Sequence, residues 1–345
     1  MTFAQKILSW YRENKRDLPC RKTRDPYHIW LSEIMLQQTR VAQGMPYYLR
    51  FTEAFPTVHD LANAKEDEVL KLWQGLGYYS RARNLHATAK IVVEDFNGKF
   101  PDTYEGLKSL KGVGDYTASA IASFCFDIPE PVVDGNVYRV LSRYFGVDIP
   151  INSTQGIKYF KELAREAMDG ENIRDYNQGI MEFGAIQCAP KKPYCLLCPL
   201  QESCVALQEN KVDQLPIKQN KTKVRKRHFN YLVAVDDNRK TILEQRKGKG
   251  IWQNLYQFPL IESQETLHEE ELTKRIKEKE VFAELESLSL YNNEPIVHKL
   301  SHQHLYTQFW ILKTSPILEG GTPWEQIDEF PVPVLIADFI RTFKI

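Results

Sequence analysis

Apolar residues recur at three- and four-residue spacing through the first part of the chain, in FAQKILSWY (3–11), IWLSEIML (29–36) and EVLKLWQGLGYY (68–79). That period places them on one face of a helix and predicts a helical region over residues 1–210. Breakers at Phe55-Pro56-Thr57, Phe100-Pro101-Asp102 and Ile128-Pro129 divide it into segments, and no run in it reads as strand. The pattern changes near residue 229. FNYLVAV (229–235), then Asp236-Asp237-Asn238, then KTILEQR (240–246) read as strand, turn, strand, and LYTQFWIL (305–312) as another strand. ESQETLHEEELTKRIKEK (262–279) reads as a solvated helix. The reading is therefore α+β in two parts: an all-α region, a linker over 211–228 and a mixed α/β domain over 229–345.

With 345 residues the chain exceeds what one core usually spans. Apolar residues at 43% and charged residues at 26% are ordinary for a globular protein. There is no apolar run of about 18 residues, and the amphipathic N-terminus has no signal-peptide core, so a cytoplasmic protein is expected. The net charge of zero argues against nucleic acid when taken alone. The charge is unevenly spread, however. Lys211, Lys218, Lys221, Lys223, Arg225, Lys226 and Arg227 stand against the single acid Asp213 over 211–230, a run that suits either a solvated linker or phosphate contact.

Four of the six cysteines, Cys188, Cys195, Cys198 and Cys204, form C-x6-C-x2-C-x5-C. In a cytoplasmic chain such packing favours metal over disulfides. Zinc sites usually pair two C-x-x-C knuckles and only one is present, whereas a 4Fe–4S cube takes one thiolate per iron and suits wider, uneven spacing. Spacing alone leaves both metals open, and unliganded thiols as well.

Residues 107–124, LKSLKGVGDYTASAIASF, place Gly112 and Gly114 just before a helix. Glycines allow a tight turn and a close backbone approach, and the first amides of the helix suit a phosphate. The same text also fits a plain helix–turn–helix connection. Glu33 has Ile29, Trp30 and Leu36 as helical neighbours, so it is either a desolvated acid with a raised pKa or an ordinary carboxylate on a polar edge. Asp134, in Pro131-Val132-Val133-Asp134-Gly135-Asn136, fits a helix N-cap, a role that can also hold a catalytic aspartate in place.

In combination, the G-V-G hairpin, the aspartate about 20 residues on and the cysteine set resemble the endonuclease III superfamily of DNA glycosylases. Trp30-Leu31-Ser32-Glu33-Ile34-Met35-Leu36-Gln37-Gln38-Thr39, Gly75-Leu76-Gly77-Tyr78-Tyr79, Asp134-Gly135-Asn136-Val137 and Met181-Glu182-Phe183-Gly184-Ala185 resemble the MutY-type adenine glycosylases within it. The resemblance implies a helix–hairpin–helix glycosylase domain with a 4Fe–4S loop over 188–204, and a Nudix-like lesion-recognition domain. It implies a monomer acting in base excision repair on double-stranded DNA, removing adenine opposite 8-oxoguanine or guanine by base flipping. Glu33 would be the acid that protonates adenine. Asp134 would stabilise the oxocarbenium-like sugar, with Tyr116 and Asn136 positioning the acids. Arg21, Leu36 and Glu182 map to the adenine pocket, Gln38 and Tyr78 to residues that enter the base stack, and Thr39 and Leu76 to the neighbourhood of the opposite base. Gly112 and Gly114 would grip the backbone, and Lys191 and Lys192 would meet phosphate.

Bifunctional members carry a lysine two residues after the hairpin's last glycine. Here that residue is Tyr116, which implies base removal without an efficient lyase step. The text from Gly250-Ile251-Trp252 to Phe258-Pro259 resembles the approach to a Nudix box, but no R-E-x-x-E-E follows, so recognition without hydrolysis is expected. The family's F-S-H loop appears as Leu300-Ser301-His302, with Ser301 and His302 as lesion and phosphate contacts. A further departure is Cys20, where the family's L-P-W-R has tryptophan.

Overall fold

The computed structural model describes residues 1–219, 224–277, 286–314 and 317–345. The chain divides into two compact units, Met1–Asn63 with Asn84–Asn220, and Ala64–Arg83 with Lys221–Ile345.

In the first unit the described residues form α1 (Phe3–Asn14), α2 (Pro26–Leu36), α3 (Val41–Ala54) and α4 (Val58–Asn63). After α5 (Glu66–Trp73), which belongs to the second unit, and α6 (Ser80–Phe96), which crosses the division, come α7 (Tyr104–Ser109), α8 (Asp115–Phe126), α9 (Gly135–Phe145), α10 (Thr154–Ala167), α11 (Ile173–Ile186) and the short α12 (Val205–Gln208). Helix α2 begins three residues ahead of the apolar run 29–36 that predicts it. Asp25 caps it by accepting from the Tyr27 amide at 2.9 Å, and Pro26 occupies the first turn, where no amide partner is needed. Helices α2 and α8 are buried on nearly all sides: Ile29, Trp30, Leu31, Ile34 and Met35 in one, and every residue from Thr117 to Phe124 in the other. Two of their interior hydroxyls are satisfied within the helix, Ser32 by the Ile29 carbonyl at 2.8 Å and Ser123 by the Ser119 carbonyl at 2.7 Å. The catalytic candidates Glu33 and Tyr116 are thus carried by two largely enclosed helices.

Gly184 brings α11 against α9. A Cβ there would lie 2.7 Å from the Asn136 Cβ and 2.8 Å from its carbonyl oxygen, so only glycine permits the approach.

In the second unit, β1 (Arg225–Val235) lies parallel to β8 (Gln303–Lys313) at the centre of a five-stranded sheet. Strand β5 (Leu260–Ser263) flanks β1, and β6 (Ser287–Leu290) and β7 (Ile296–Lys299) pair with successive parts of β8. One face packs Leu232, Ala234, Trp310 and Leu312 against Leu272 and Ile276 of α13 (Glu269–Lys277). On the other, Phe309 stacks on Phe339 of α14 (Val334–Thr342) with ring centroids 4.1 Å apart. Because both faces are covered, Phe229–Ala234 is a continuous buried run without alternation.

Three expectations change. The helical pattern read over 68–79 stops at Trp73, and the chain turns through Gly75 and Gly77 at φ 96° and 81°. KTILEQR is not one strand paired back onto β1. It splits into β2 (Lys240–Thr241), which pairs with β9 (Thr322–Pro323), and β3 (Glu244–Gln245), which pairs with β4 (Tyr256–Gln257). The helix read from 262–279 begins only at Glu269, because Glu262 and Ser263 are taken by β5; Glu278 and Lys279 lie outside the described residues. Of the basic run, Arg225, Lys226 and Arg227 open β1, while Lys221 and Lys223 lie outside the described residues.

The segment 64–83 joins the second unit through polar contacts. Glu66 accepts from Asn254 Nδ2 at 2.5 Å, Asp67 from the Tyr256 hydroxyl at 3.2 Å and Gln74 from the Val332 amide at 3.1 Å. Arg83 donates to the Gln253 carbonyl at 2.9 Å. No helix among the described residues is long and apolar enough to cross a membrane.

Candidate active site

A cleft with about 1440 Å³ of open space, counted out to its mouth, is cut into the first unit. Glu33, Tyr116, Asp134, Asn136, Arg21, Leu36, Thr39, Glu182 and Cys20 all line it.

Glu33 points from α2 to Tyr116 on α8, whose hydroxyl donates to Glu33 Oε2 at 2.6 Å and also approaches Met181 Sδ at 3.3 Å. Burial raises the Glu33 carboxyl from its ordinary range to about 7; Asp134 adds to this, and the Tyr116 hydrogen bond and Arg21 oppose it. A carboxyl in that position can hold a proton near neutral pH and give it up.

Asp134 caps α9. Its Oδ1 accepts from the Asn136 and Val137 amides, both at 2.8 Å, and its Oδ2 accepts from Asn136 Nδ2 at 2.8 Å. Burial pushes its pKa above the usual value, against the pull of those donors. Three donors fix the carboxylate and aim it, which suits a group that must face a developing positive charge.

Glu182 is 1% exposed and behaves in the opposite way. Burial would raise it, but Arg16 and Arg21 outweigh burial and hold it at about 2. Arg16 Nε and Nη2 donate at 2.7 and 2.5 Å, and Arg21 Nη2 at 2.8 Å. The cleft therefore separates its acids, with Glu182 fixed as an anion and Glu33 poised to titrate.

Cys20 is buried on the short 3-10 turn Pro19–Arg21, and burial followed by the charge of Glu33 raises its thiol pKa. A nucleophilic thiolate is therefore disfavoured there.

At the hairpin, Gly112 has φ 76° and a Cβ on it would sit 2.8 Å from Asn84 Cβ, so the turn demands glycine. Gly114 is the N-cap of α8 and supplies no side-chain hydrogen bond to the helix amides. The four cysteines line a single pocket with Arg143. Arg143 Nη1 lies 3.5 Å from Cys188 Sγ and donates to the Ala189 carbonyl at 2.8 Å. Arg139, one turn away on α9, donates to the Cys188 carbonyl at 2.8 Å and to Asn136 Oδ1 at 2.9 Å. Four soft thiols around one cavity, with a cation beside them, fit a thiolate-bound group. Among the described residues, no three His, Cys, Asp or Glu side chains converge on single-ion geometry.

Arg16, Arg139 and Arg143 were not singled out from the sequence. Arg139 and Arg143 share a face at i, i+4 on α9, a visible signal, but their carbonyl acceptors have no sequence signature. Nothing periodic marks Arg16.

Gln38 and Tyr78 are exposed, with φ of 55° and 48°. Left-handed backbone is unfavourable for such residues and tends to collect at functional positions. Leu76 is buried within the second unit. Ser301 and His302 are exposed in the turn between β7 and β8, with Ser301 Oγ 3.2 Å from His302 Nδ1; His304 is already in β8.

Residues 31–166 match the HhH-GPD superfamily of base excision DNA repair proteins, and residues 230–342 match a NUDIX domain. An adenine DNA glycosylase from Buchnera aphidicola (strain Bp) is 34% identical over 90% of this chain and 86% of its own. The chain belongs to the adenine DNA glycosylase family. As a member it is a DNA glycosylase, with the helix–hairpin–helix region followed by the Nudix-like domain. The adenine DNA glycosylase of Rattus norvegicus is 46% identical over 60% of this chain and 42% of its own. Among solved structures, a thermostable thymine-DNA glycosylase is similar at 34% identity and TM-score 0.56, covering 60% of this chain and 95% of that one. An endonuclease III–DNA complex, at 22% identity and TM-score 0.53 over 60% of this chain and 94% of that one, shares the fold.

Proposed function

We propose that the chain removes adenine mispaired with 8-oxoguanine or guanine, by base flipping and acid-catalysed hydrolysis, without a lyase step. The observation that carries this reading is the Glu33–Tyr116 pair: a carboxyl held near 7, hydrogen-bonded by a phenol where a lyase would place its amine.

The extruded adenine enters the cleft, and Glu33 donates its proton to the ring, at N7 by the family resemblance. The leaving group then departs as neutral adenine. Asp134, aimed by Asn136 and the α9 amides, faces the cationic sugar and stabilises it or traps it covalently. Glu33, now a carboxylate, activates water for the final attack. Tyr116 holds Glu33 in register. Arg21, Leu36 and Glu182 bound the base, and Thr39 lies at the same cleft for the opposite base. Gln38 and Tyr78 enter the stack. The Leu76 side chain, buried in its own unit, reaches DNA only if that turn rearranges. The hairpin amides at Gly112–Gly114 meet backbone phosphate.

Cys188, Cys195, Cys198 and Cys204 would hold a 4Fe–4S cluster, which when bound orders the loop carrying Lys191 and Lys192. The second unit reads the lesion with Ser301 and His302. Leu300 replaces the family's aromatic residue and offers a smaller contact there.

The test is adenine release from an adenine·8-oxoguanine duplex by the parent and by Glu33→Gln, with strand cleavage scored before and after alkali. Release by the parent alone, with breaks only after alkali, is expected. Breaks without alkali would overturn the monofunctional assignment.

A further inference from the structure

The turn 73–81 of the second unit is built around one cation. Arg81 Cζ lies 5.3 Å from the ring centroid of buried Trp73 and 5.5 Å from that of Tyr78, which is 47% exposed. Arg81 Nη2 donates to the Gly77 carbonyl at 3.1 Å, and Trp73 Nε1 donates to the same carbonyl at 3.0 Å. The Arg81 amide closes the turn onto the Tyr78 carbonyl at 2.9 Å. The guanidinium thus contacts one fixed ring and one exposed ring, and pins the peptide that precedes the exposed one. Burial lowers the Arg81 pKa only to about 10, so the charge persists at neutral pH.

Tyr78 requires such support. At φ 48° its backbone lies in the left-handed region, where a bulky residue relaxes unless its surroundings hold it. Flanking Gly75 and Gly77, at φ 96° and 81°, supply the turn but no side chain to brace it.

We infer that Arg81 is a positioning residue that holds Tyr78 pre-formed for insertion into the base stack. Arg81 need not touch DNA; its effect passes through the Tyr78 ring and the Gly77 peptide. The inference rests on the proposed insertion of Tyr78.

A double-mutant cycle tests it. The duplex carries non-cleavable 2′-fluoro-2′-deoxyadenosine opposite 8-oxoguanine, with 2-aminopurine stacked beside the mispair. Affinity and 2-aminopurine fluorescence are read for Arg81→Met, Arg81→Lys, Tyr78→Ala and the double variant Arg81→Met/Tyr78→Ala. Arg81→Met should bind about tenfold more weakly, the scale of one partly desolvated cation–π contact. It should also lose most of the fluorescence rise that accompanies unstacking. Arg81→Lys keeps the charge but not the planar fork, and should recover part of both signals. In the Tyr78→Ala background, Arg81→Met should cost nothing further.

An equal loss in both backgrounds would mean that Arg81 acts through the fold or through general charge, and would overturn the inference, as would unchanged binding by Arg81→Met. If Tyr78→Ala itself binds and unstacks like the parent, the insertion reading fails, and the inference fails with it.

Discussion

Tyr116→Phe removes one oxygen and should move the alkaline limit of base excision upward. The hydroxyl donates to Glu33 Oε2 at 2.6 Å, and a donor favours the ionised acid, so it holds the Glu33 pKa below the level that burial and Asp134 would otherwise set. Hydrogen bonds to charged groups contribute about 1.5–3 kcal/mol, and water entering the cleft would replace part of the loss. A net change of about 1.4 kcal/mol corresponds to about one pH unit. Glu33 must carry its proton to act, so the rate falls as pH rises through its pKa. The parent's alkaline limb should be centred near 7, and the variant's about one unit higher. Single-turnover adenine release at saturating enzyme, from pH 5.5 to 9.5, would show this. A limb that stays in place or moves to lower pH would refute the assignment of Glu33 as the titrating acid.

Glu33→Gln should stabilise the fold at alkaline pH. The native carboxyl titrates near 7 and the unfolded one near its ordinary 4.5, so native stability declines as pH rises between those values. Two and a half units at 1.36 kcal/mol each set an upper bound of about 3 kcal/mol, readable by urea unfolding at pH 8 and vanishing below about pH 4.5. Glu182→Ala has the opposite sign: it strands two arginines and should cost about 3 kcal/mol at neutral pH. That cost is present above the ordinary carboxyl range and fades as pH falls through about 2, which acid unfolding curves of parent and variant would trace. Ser301→Ala should weaken binding to an 8-oxoguanine duplex several-fold more than to a guanine duplex, since loss of one lesion-edge hydrogen bond contributes about 1 kcal/mol; equal losses on both would remove Ser301 from lesion reading.

Much of the fold is legible because its signals are local. The period that places Trp30, Leu31 and Ile34 inside also places Glu33 beside them. Asp134 before Gly135 is an N-cap by chemistry, and the structure gives it that role. Strands β1 and β8 read as strands because each is a long apolar run, although their parallel pairing joins residues far apart in sequence and leaves no local trace. For the same reason KTILEQR is misread: its partners are β9 and β4, so turn chemistry after β1 does not make a hairpin. The helical period of 68–79 is equally silent about which unit takes it. Glu66, Asp67 and Gln74 are ordinary surface residues until Asn254, Tyr256 and Val332 arrive. In the cleft, the acids were visible as residue types in context. Of the two arginines that hold Glu182 ionised, Arg21 came with the family resemblance, whereas Arg16 was not visible, because it is brought to Glu182 only by the packing of α1 against α11.

The proposed reaction depends on Glu33 as the proton donor to the leaving base. The most direct measurement is single-turnover adenine release from an adenine·8-oxoguanine duplex by the parent and by Glu33→Gln, at equal DNA occupancy. The amide is nearly isosteric but cannot donate an acidic proton, so release should fall by at least about 100-fold while binding persists, the span expected of general acid catalysis. Release within a few-fold of the parent, by a variant that binds the duplex normally, would contradict the central claim.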